Sequence, residues 1–271
     1  MTFLEIINEA KMKYHPQDEV VLFEILYTLS KKVKTKLQYT DHRNTKIDFV
    51  KLKYFKKLNE YFLEEKPLGQ IARSTTFCGV KIDIYDHIFE PRHETEYLTE
   101  IAVKLLKKGK YKNGIDLCCG TGCIGIAIKK AIPIIKMTSV DINATAVINT
   151  IHNAKINNVK LNAVCADALS LMIDKYDFIV CNPPYVNAKD VKSLTKYETA
   201  ISFNNSNDEL YFYKKILKDV FRLKKRMLIL FEVGHNQKEP LFNCLKKLGL
   251  DKQCKFFKDL IGSDRILAII K

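Results

Sequence analysis

The sequence predicts an α/β protein with a mainly parallel sheet, preceded by a small helical domain. Three observations predict it. The first ~75 residues carry apolar positions at helical spacing only. Two short β-prone stretches flank Gly79. From residue 94 onward, helical runs alternate with apolar β-prone runs.

Each element follows from its local pattern. Residues 18–33 align Val21, Leu22, Ile25, Leu26 and Leu29 on one helical face, and residues 46–63 align Ile47, Val50, Phe55, Leu58 and Phe62. Pro67 and Gly69 then punctuate the chain. Nothing in this region has catalytic character, so packing or partner recognition is its expected role. Thr75–Phe77 and Val80–Ile84, around Gly79, predict a hairpin. Helix 94–107 leads to strand Gly114–Leu117, helix 122–131 to strand Ile135–Val140, and helix 144–156 to strand Leu161–Val164. Strand Phe178–Cys181 precedes a polar loop to about residue 205. Helix 209–222 leads to strand Met227–Glu232, and helix 238–247 to β segments near 252–257 and 265–270. Strands joined through helices imply right-handed crossovers and parallel pairing. The last two lack an intervening helix, so one of them is expected to run antiparallel. Asn143 is an expected N-cap; Ser206 with Glu209 and Asn236 with Glu239 have capping-box spacing, and Pro240 fits a first helical turn.

Composition narrows the function. At 271 residues and 47% hydrophobic content, the chain can bury a substantial core. Its formal net charge is +14, from 45 basic and 31 acidic residues. Such an excess suggests a polyanionic partner, such as nucleic acid or a ribonucleoprotein. However, 39 of the basic residues are Lys and 6 are Arg. Lys-rich usage also fits AT-rich coding, and Arg is the usual reader of bases, so both readings stay open. Residues 214–226 concentrate seven basic residues with one acid, which fits either an exposed helix face or a binding patch. No run of about 18 apolar residues predicts a membrane span. MTFLEIINEAKMKY has acids and lysines where a signal peptide needs an apolar stretch. Eight Cys, with Cys118 and Cys119 adjacent, do not form a secreted disulfide pattern. A reduced, cytoplasmic enzyme is expected.

Two motifs carry chemistry. Ile115-Asp116-Leu117-Cys118-Cys119-Gly120-Thr121-Gly122-Cys123-Ile124-Gly125 closes a strand and opens a helix, with glycines in G-x-G-x-x-G spacing. The turn fits a dinucleotide, S-adenosylmethionine, or a tight bend alone. Asp116, at the strand tip, would repel a pyrophosphate but suits the cationic amino group of a methionine moiety, directly or through water. Asp141 ends the next strand, about twenty residues on, where a carboxylate can accept ribose hydroxyls; it could equally serve a helix start. The pair favours S-adenosylmethionine over a nicotinamide dinucleotide. Asp167 follows strand Leu161–Val164, at a place suited to the adenine amino group, or to a simple turn. Cys118, Cys119 and Cys123 lack a second pair at zinc spacing, so no metal is expected.

The second motif is Phe178-Ile179-Val180-Cys181-Asn182-Pro183-Pro184-Tyr185, an apolar strand running into Asn-Pro-Pro-Tyr. A planar nitrogen conjugated to a carbonyl or ring is a poor nucleophile because its lone pair is delocalised. It needs its N–H groups held so that the lone pair faces an electrophilic methyl. The Asn182 side-chain oxygen and the Pro183 carbonyl can accept those N–H groups. Consecutive prolines keep the acceptors aimed, and Tyr185 offers a flat face to a planar substrate. Catalysis by such a loop is proximity, orientation and polarisation. The nitrogen loses its proton after methyl transfer, when it has become strongly acidic, and no dedicated base is evident.

With these residues in hand, the chain resembles the bacterial peptide chain release factor glutamine N5-methyltransferases over nearly its whole length. The resemblance includes Pro67-Leu68-Gly69-Gln70-Ile71, Phe77 and Gly79, and Glu90-Pro91-Arg92-His93-Glu94-Thr95-Glu96. It continues through both motifs, Tyr197-Glu198, Phe231-Glu232-Val233-Gly234 with Gln237, and Lys258-Asp259-Leu260-Ile261-Gly262-Ser263-Asp264-Arg265. It implies a helical N-terminal substrate-recognition domain (1–72), a linking β-hairpin (73–92) and a seven-stranded Rossmann-like methyltransferase domain (93–271). It implies S-adenosylmethionine as cofactor and methylation of the glutamine side chain in the Gly-Gly-Gln loop of class I release factors by a monomer. Cys118, Cys119, Gly120, Thr121, Gly122 and Asp141 would hold the cofactor, with Asp116, Asp167 and Ala168 around it. Asn182 would face cofactor and substrate, and Pro183, Pro184 and Tyr185 would line the glutamine pocket. Cys118 stands where the family has its first loop glycine, Glu90 and His93 where it has Ile and Pro, Thr199 where it usually has Pro, and Ala168 where an aromatic is common.

Rival readings differ in substrate or class. An exocyclic amine of adenine or guanine suits the same loop, but residues 1–75 contain no identifiable base-recognition module. A ribosomal-protein glutamine is compatible with Asn182–Val186; the ending at 258–265 favours the release-factor enzyme. A non-catalytic binding protein is disfavoured by the intact Asp141 and Asn182–Tyr185. An NAD oxidoreductase leaves the Asn-Pro-Pro-Tyr loop without a role.

Overall fold

The chain divides into two units, Met1–Arg73 and Ser74–Lys271, in a computed structural model that describes residues 2–16, 20–29, 44, 50–64, 68–185, 208–259 and 262–271. The first unit contains helices α1 (Phe3–Tyr14), α2 (Val20–Leu29), α3 (Val50–Phe62) and the short α4 (Leu68–Ala72). Thr2 starts α1 with a reciprocal cap: its hydroxyl accepts the Glu5 N–H at 3.2 Å, and the Glu5 carboxylate accepts the Thr2 N–H at 2.7 Å. Phe3, Ile6, Ile7 and Ala10 pack with Val21, Leu22, Ile25, Leu26, Tyr54 and Leu58. Burying Tyr54 is possible because its hydroxyl donates to the Leu22 carbonyl at 2.9 Å. Of the apolar positions expected in the two longer helical runs, Ile47 lies outside the described residues.

The second unit opens with the expected hairpin, β1 (Ser74–Phe77) and β2 (Val80–Asp83), paired antiparallel. Cys78 and Gly79 turn between them with φ of 44° and 75°, the left-handed pair that a two-residue hairpin turn requires. A seven-stranded sheet follows in the order β5-β4-β3-β6-β7-β9-β8. Its strands are β3 (Asn113–Leu117), β4 (Lys136–Asp141), β5 (Asn162–Cys165), β6 (Phe178–Cys181), β7 (Leu228–Glu232), β8 (Cys254–Lys258) and β9 (Asp264–Ile270). All adjacent pairs are parallel except those made by β9, which runs antiparallel to both β7 and β8. The antiparallel strand expected at the end of the chain is therefore the last one, inserted inside the edge. Helices α5 (His93–Lys108), α6 (Cys123–Ala131), α7 (Ala144–Ile156), α8 (Tyr211–Arg222) and α9 (Lys238–Lys247) accompany the sheet.

Strand residues alternate between two cores. Phe178 and Val180 pack with α5 and α6 through Leu98, Ala102, Ile124 and Ile128. Ile179 and Cys181 pack with α8 and α9 through Tyr213, Leu217, Leu241 and Leu245. Covering both faces is what a near-continuous apolar strand such as Phe178–Cys181 demands.

Two expected caps are corrected. α8 begins at Tyr211 behind Leu210, with no side-chain cap; Ser206 lies outside the described residues, and Asp208 accepts the Leu210 N–H at 3.0 Å instead. α9 begins after Gln237, not Asn236. Asn236 takes a left-handed φ of 61°, which turns the chain sharply before the helix. Asn143 does cap α7, accepting the Thr145 N–H at 2.9 Å. His93 opens α5 at the first helical position, where a proline is otherwise favoured because its N–H has no helical partner.

The strand order reverses between β3 and β6, and the crevice at such a switch point is where open α/β sheets hold ligands. Leu117 and Cys181 are register partners. The turn after β3 and the Asn182–Tyr185 loop after β6 therefore leave the sheet side by side.

Candidate active site

The turn after β3 is shaped by backbone geometry and two carboxylates. Cys118, Gly120 and Gly122 have φ of 58°, 53° and 77°. Cys118 thus occupies a left-handed conformation that costs a non-glycine residue about 1–2 kcal/mol. That is a physical reason for a glycine to be preferred there. Gly122 has a second requirement: a Cβ would lie 2.6 Å from the Thr150 side chain. Gly125 lets α6 approach the sheet, since a Cβ there would sit 2.5 Å from Ser139 Oγ.

Asp116 is fully buried beneath this turn. Its Oδ2 accepts the Gly125 N–H at 3.0 Å and the Ser139 hydroxyl at 3.4 Å. Its Oδ1 has no hydrogen-bond partner. Burial raises its carboxyl to about 7, against the pull of the Gly125 and Ser139 hydrogen bonds, with the charge of Asp141 adding to the rise. Asp141 spans the mouth of the turn: Oδ2 accepts the Gly120 N–H and Oδ1 the Asn143 N–H, both at 2.9 Å. Asp167 is a local cap, accepting the Leu169 N–H at 2.9 Å and the Ser170 hydroxyl at 3.0 Å around a single helical turn, Ala168–Ser170. Ala168 is buried. The side chains of Cys119 and Cys123 are buried, and burial pushes both thiols up, away from the thiolate form. Thr121 is held through its carbonyl, which accepts from Asn153 Nδ2 at 2.9 Å.

The Asn182–Tyr185 loop is held by a buried polar network. Asn182 Nδ2 donates to Thr95 Oγ1 at 3.2 Å. The Thr95 hydroxyl donates to Glu232 Oε2 at 2.7 Å, and the Tyr185 hydroxyl donates to Glu232 Oε1 at 3.4 Å. Burial pushes the Tyr185 phenol up, so it stays protonated and remains a donor. Gln237 takes the Gly234 N–H at 2.8 Å, and its Nε2 reaches the Tyr185 carbonyl at 3.5 Å. Pro183 is buried and Pro184 half-buried.

Sequence reasoning singled out neither Thr95 nor Glu232 as site residues, although both lie in segments that carried the resemblance. Thr95 sits in the first turn of α5 and Glu232 at the end of β7, and the fold alone joins them to Asn182. Ile142 was also missed. It follows Asp141 and leaves 74% of its surface exposed, an apolar face beside the turn. Tyr197, Glu198 and Thr199 lie outside the described residues.

Comparison with known proteins identifies the family and the fold. A family model described as "Methyltransferase small domain" matches residues 92–203. The release factor glutamine methyltransferase of Clostridium botulinum is 31% identical, over 80% of this chain and 80% of that protein. The protein of the same name from Thermodesulfovibrio yellowstonii is 28% identical, over 98% of this chain and 96% of that one. Among solved structures, the hMettl16 catalytic domain in complex with MAT2A 3'UTR hairpin 6 superposes with a TM-score of 0.58 at 20% identity, covering 94% of this chain and 92% of that one; it shares the fold. On its sequence match to these relatives, the chain belongs to the release factor glutamine methyltransferase family.

Proposed function

We propose that this protein transfers a methyl group from S-adenosylmethionine to the side-chain amide nitrogen of the glutamine in the Gly-Gly-Gln loop of class I release factors. The observation that carries the reading is the orientation of Asn182. Its nitrogen is occupied by Thr95 Oγ1, which leaves Oδ1 as an acceptor for a substrate N–H. A primary amide is the kind of nitrogen such an acceptor can activate without a strong base.

The residues around the turn after β3 fit the cofactor. A buried carboxylate oxygen without a partner, Asp116 Oδ1, matches a cationic amino group, directly or through water. Asp141 keeps free lone pairs for ribose hydroxyls. Ile142 offers an apolar face to a heterocycle. When bound, S-adenosylmethionine supplies a methyl group activated by a positively charged sulfur. The protein's own part is orientation. Asn182 Oδ1 and the Pro183 carbonyl hold the two amide N–H groups, and Tyr185 lies along the amide plane. As an N–CH3 bond formed and the methyl–sulfur bond broke, the amide nitrogen would become acidic and release one proton to solvent. The hydrogen-bond acceptors already in place stabilise that developing charge. We read the first unit, which carries none of these groups, as the recognition domain for the release factor. A cytoplasmic location follows from a substrate that works on the ribosome. No helix among the described residues is long and apolar enough to cross a membrane.

The test is to supply methyl-labelled S-adenosylmethionine with purified release factor, ribosomal protein and undermethylated nucleic acid in separate reactions. Label is expected on the Gly-Gly-Gln glutamine; label on nucleic acid alone would overturn the reading. Asn182→Ala is expected to keep the fold and cofactor affinity while losing about 100-fold or more in turnover. Near-normal turnover would remove Asn182 from the mechanism.

A further inference from the structure

An asparagine amide has no intrinsic preference between its two flipped orientations; its neighbours decide which atom faces a ligand. At Asn182 the neighbour is Thr95, and what Thr95 can accept is set by Glu232. An ionised carboxylate is an acceptor at both oxygens. Glu232 takes the Thr95 hydroxyl proton on Oε2 at 2.7 Å and that of Tyr185 on Oε1 at 3.4 Å. With its single proton committed, Thr95 Oγ1 can only accept, and Asn182 Nδ2 fills it at 3.2 Å. Thr95 is itself buried and fixed in the first turn of α5, where its carbonyl accepts the Thr99 hydroxyl at 2.9 Å.

We propose that Glu232 and Thr95 are positioning residues that fix the flip of the Asn182 amide, so that its oxygen rather than its nitrogen meets the substrate amide. The proposal rests on the reading of Asn182 as the acceptor of the glutamine N–H. The direction of the chain follows from which group carries the proton at Glu232. If Glu232 is protonated on Oε2, that oxygen donates to Thr95 Oγ1. The Thr95 hydroxyl then turns its own proton toward Asn182. Asn182 answers with Oδ1 and presents Nδ2 to the substrate, so two donors face each other.

The surroundings place this change within reach. Glu232 is buried, which is the main reason its carboxyl rises to about 7; Glu94 on α5 pushes the same way. The Thr95 and Tyr185 hydrogen bonds and the Arg265 charge on β9 oppose the rise. Tyr213 on α8 approaches the Glu232 backbone carbonyl, with its hydroxyl at 2.9 Å. Arg92, ahead of α5, acts on Tyr185. Turnover is therefore expected to rise with pH through the range near 7, as Glu232 ionises.

Thr95→Val keeps the shape of the side chain and removes the relay. It is expected to lower kcat by about 10- to 100-fold, with little change in KM for the release factor or in cofactor affinity by calorimetry. Thr95→Ser, which restores the hydroxyl, is expected to recover most of the rate. Glu232→Gln is expected to lose the limb of the kcat profile near pH 7. A Thr95→Val enzyme with unaltered kcat, or a serine variant that fails to rescue, overturns the proposal. A readout without substrate separates it from the choice of substrate. By heteronuclear NMR of the full chain, the Asn182 side-chain amide protons should titrate with a midpoint near 7, and cease to do so in Glu232→Gln. A flat Asn182 signal overturns the relay even if the release factor is methylated. A titrating signal with no methylation of any release factor supports the relay and overturns the substrate.

Discussion

A carboxyl that titrates near neutrality and keeps one oxygen without a partner couples any cation placed beside it to pH. Asp116 is such a group, with its carboxyl at about 7 and Oδ1 unbonded. A protonated amino group brought next to it favours the ionised form and lowers the carboxyl's pKa in the complex. Binding then releases a proton. The sign follows: the complex prefers the deprotonated state, so affinity rises with pH up to about 7 and levels off above it. The limiting slope is about tenfold per pH unit. S-adenosylmethionine is therefore expected to bind more tightly at pH 8 than at pH 6. Titration calorimetry in buffers of different ionisation heat should register proton release. Asp116→Asn should flatten the dependence. A pH-independent affinity in the unaltered protein would mean that the carboxyl does not meet the cation. Asp141 acts by geometry, tying Gly120 to Asn143.

At the scale of elements, α7 serves as a strand partner for β2. Asn149, Asn153 and Asn157 recur every four residues, and the backbone groups they meet belong to Lys81, Asp83 and Tyr85, every second residue. Four helical residues advance about 6.0 Å and two strand residues about 6.6 Å, so the spacings match. Asn157 exchanges hydrogen bonds with the Lys81 N–H and carbonyl at 3.1 and 2.7 Å. Asn153 does the same with Asp83 at 2.9 Å each way. Asn149 takes the Tyr85 N–H at 3.1 Å and gives to the Asp83 carbonyl at 2.9 Å. Three side-chain amides thus satisfy the free edge of the hairpin. Asn153 also reaches the Thr121 carbonyl, which links this edge to the glycine turn. Asn153→Ala strips partners from the Asp83 N–H and the Thr121 carbonyl. It is expected to cost about 2–4 kcal/mol in urea unfolding and to weaken cofactor binding as well. Asn157→Ala, at the exposed end of the ladder, should cost about 1 kcal/mol. Equal losses at the two positions would mean that burial plays no part. The sequence showed the helix and the hairpin separately because each has a local period. It did not show the ladder, because a row of asparagines on a helix reads as a polar face until a strand some 70 residues earlier is placed against it.

Over the whole molecule, what was legible followed the same division. Alternating apolar runs revealed the parallel sheet, and the helix-free connection between the last two strands indicated that one of them is antiparallel without saying which. The Asn182–Tyr185 loop stood out because four unusual residues follow one strand. Its support did not, since Thr95 and Glu232 are 137 residues apart in sequence and neither has a pattern of its own. The net charge of +14 is likewise clearer in three dimensions. On α8, Tyr213, Ile216, Leu217 and Val220 are buried, so the lysines between them line a solvated face. Part of that face is neutralised locally, by Lys214 with Asp208 at 2.6 Å and Arg222 with Asp219 at 3.6 Å. The charge and the buried carboxyls make opposite demands on stability. Acid adds protons to an already basic chain and increases its self-repulsion, which favours unfolding. Asp116 and Glu232 do the reverse. Their folded values near 7 lie above the ordinary 3.8 and 4.5. The folded state therefore holds their protons more tightly, and the stability they give is complete below about pH 4 and lost as pH rises through 7. Salt separates the two effects, because it screens surface charges but not buried ones. In high salt, the unfolding free energy of the second unit in urea is expected to fall by a few kcal/mol between pH 5 and pH 8. The double variant Asp116→Asn, Glu232→Gln should abolish most of that fall. A stability that rises with pH in high salt would show that these carboxyls are ionised in the folded protein throughout the range.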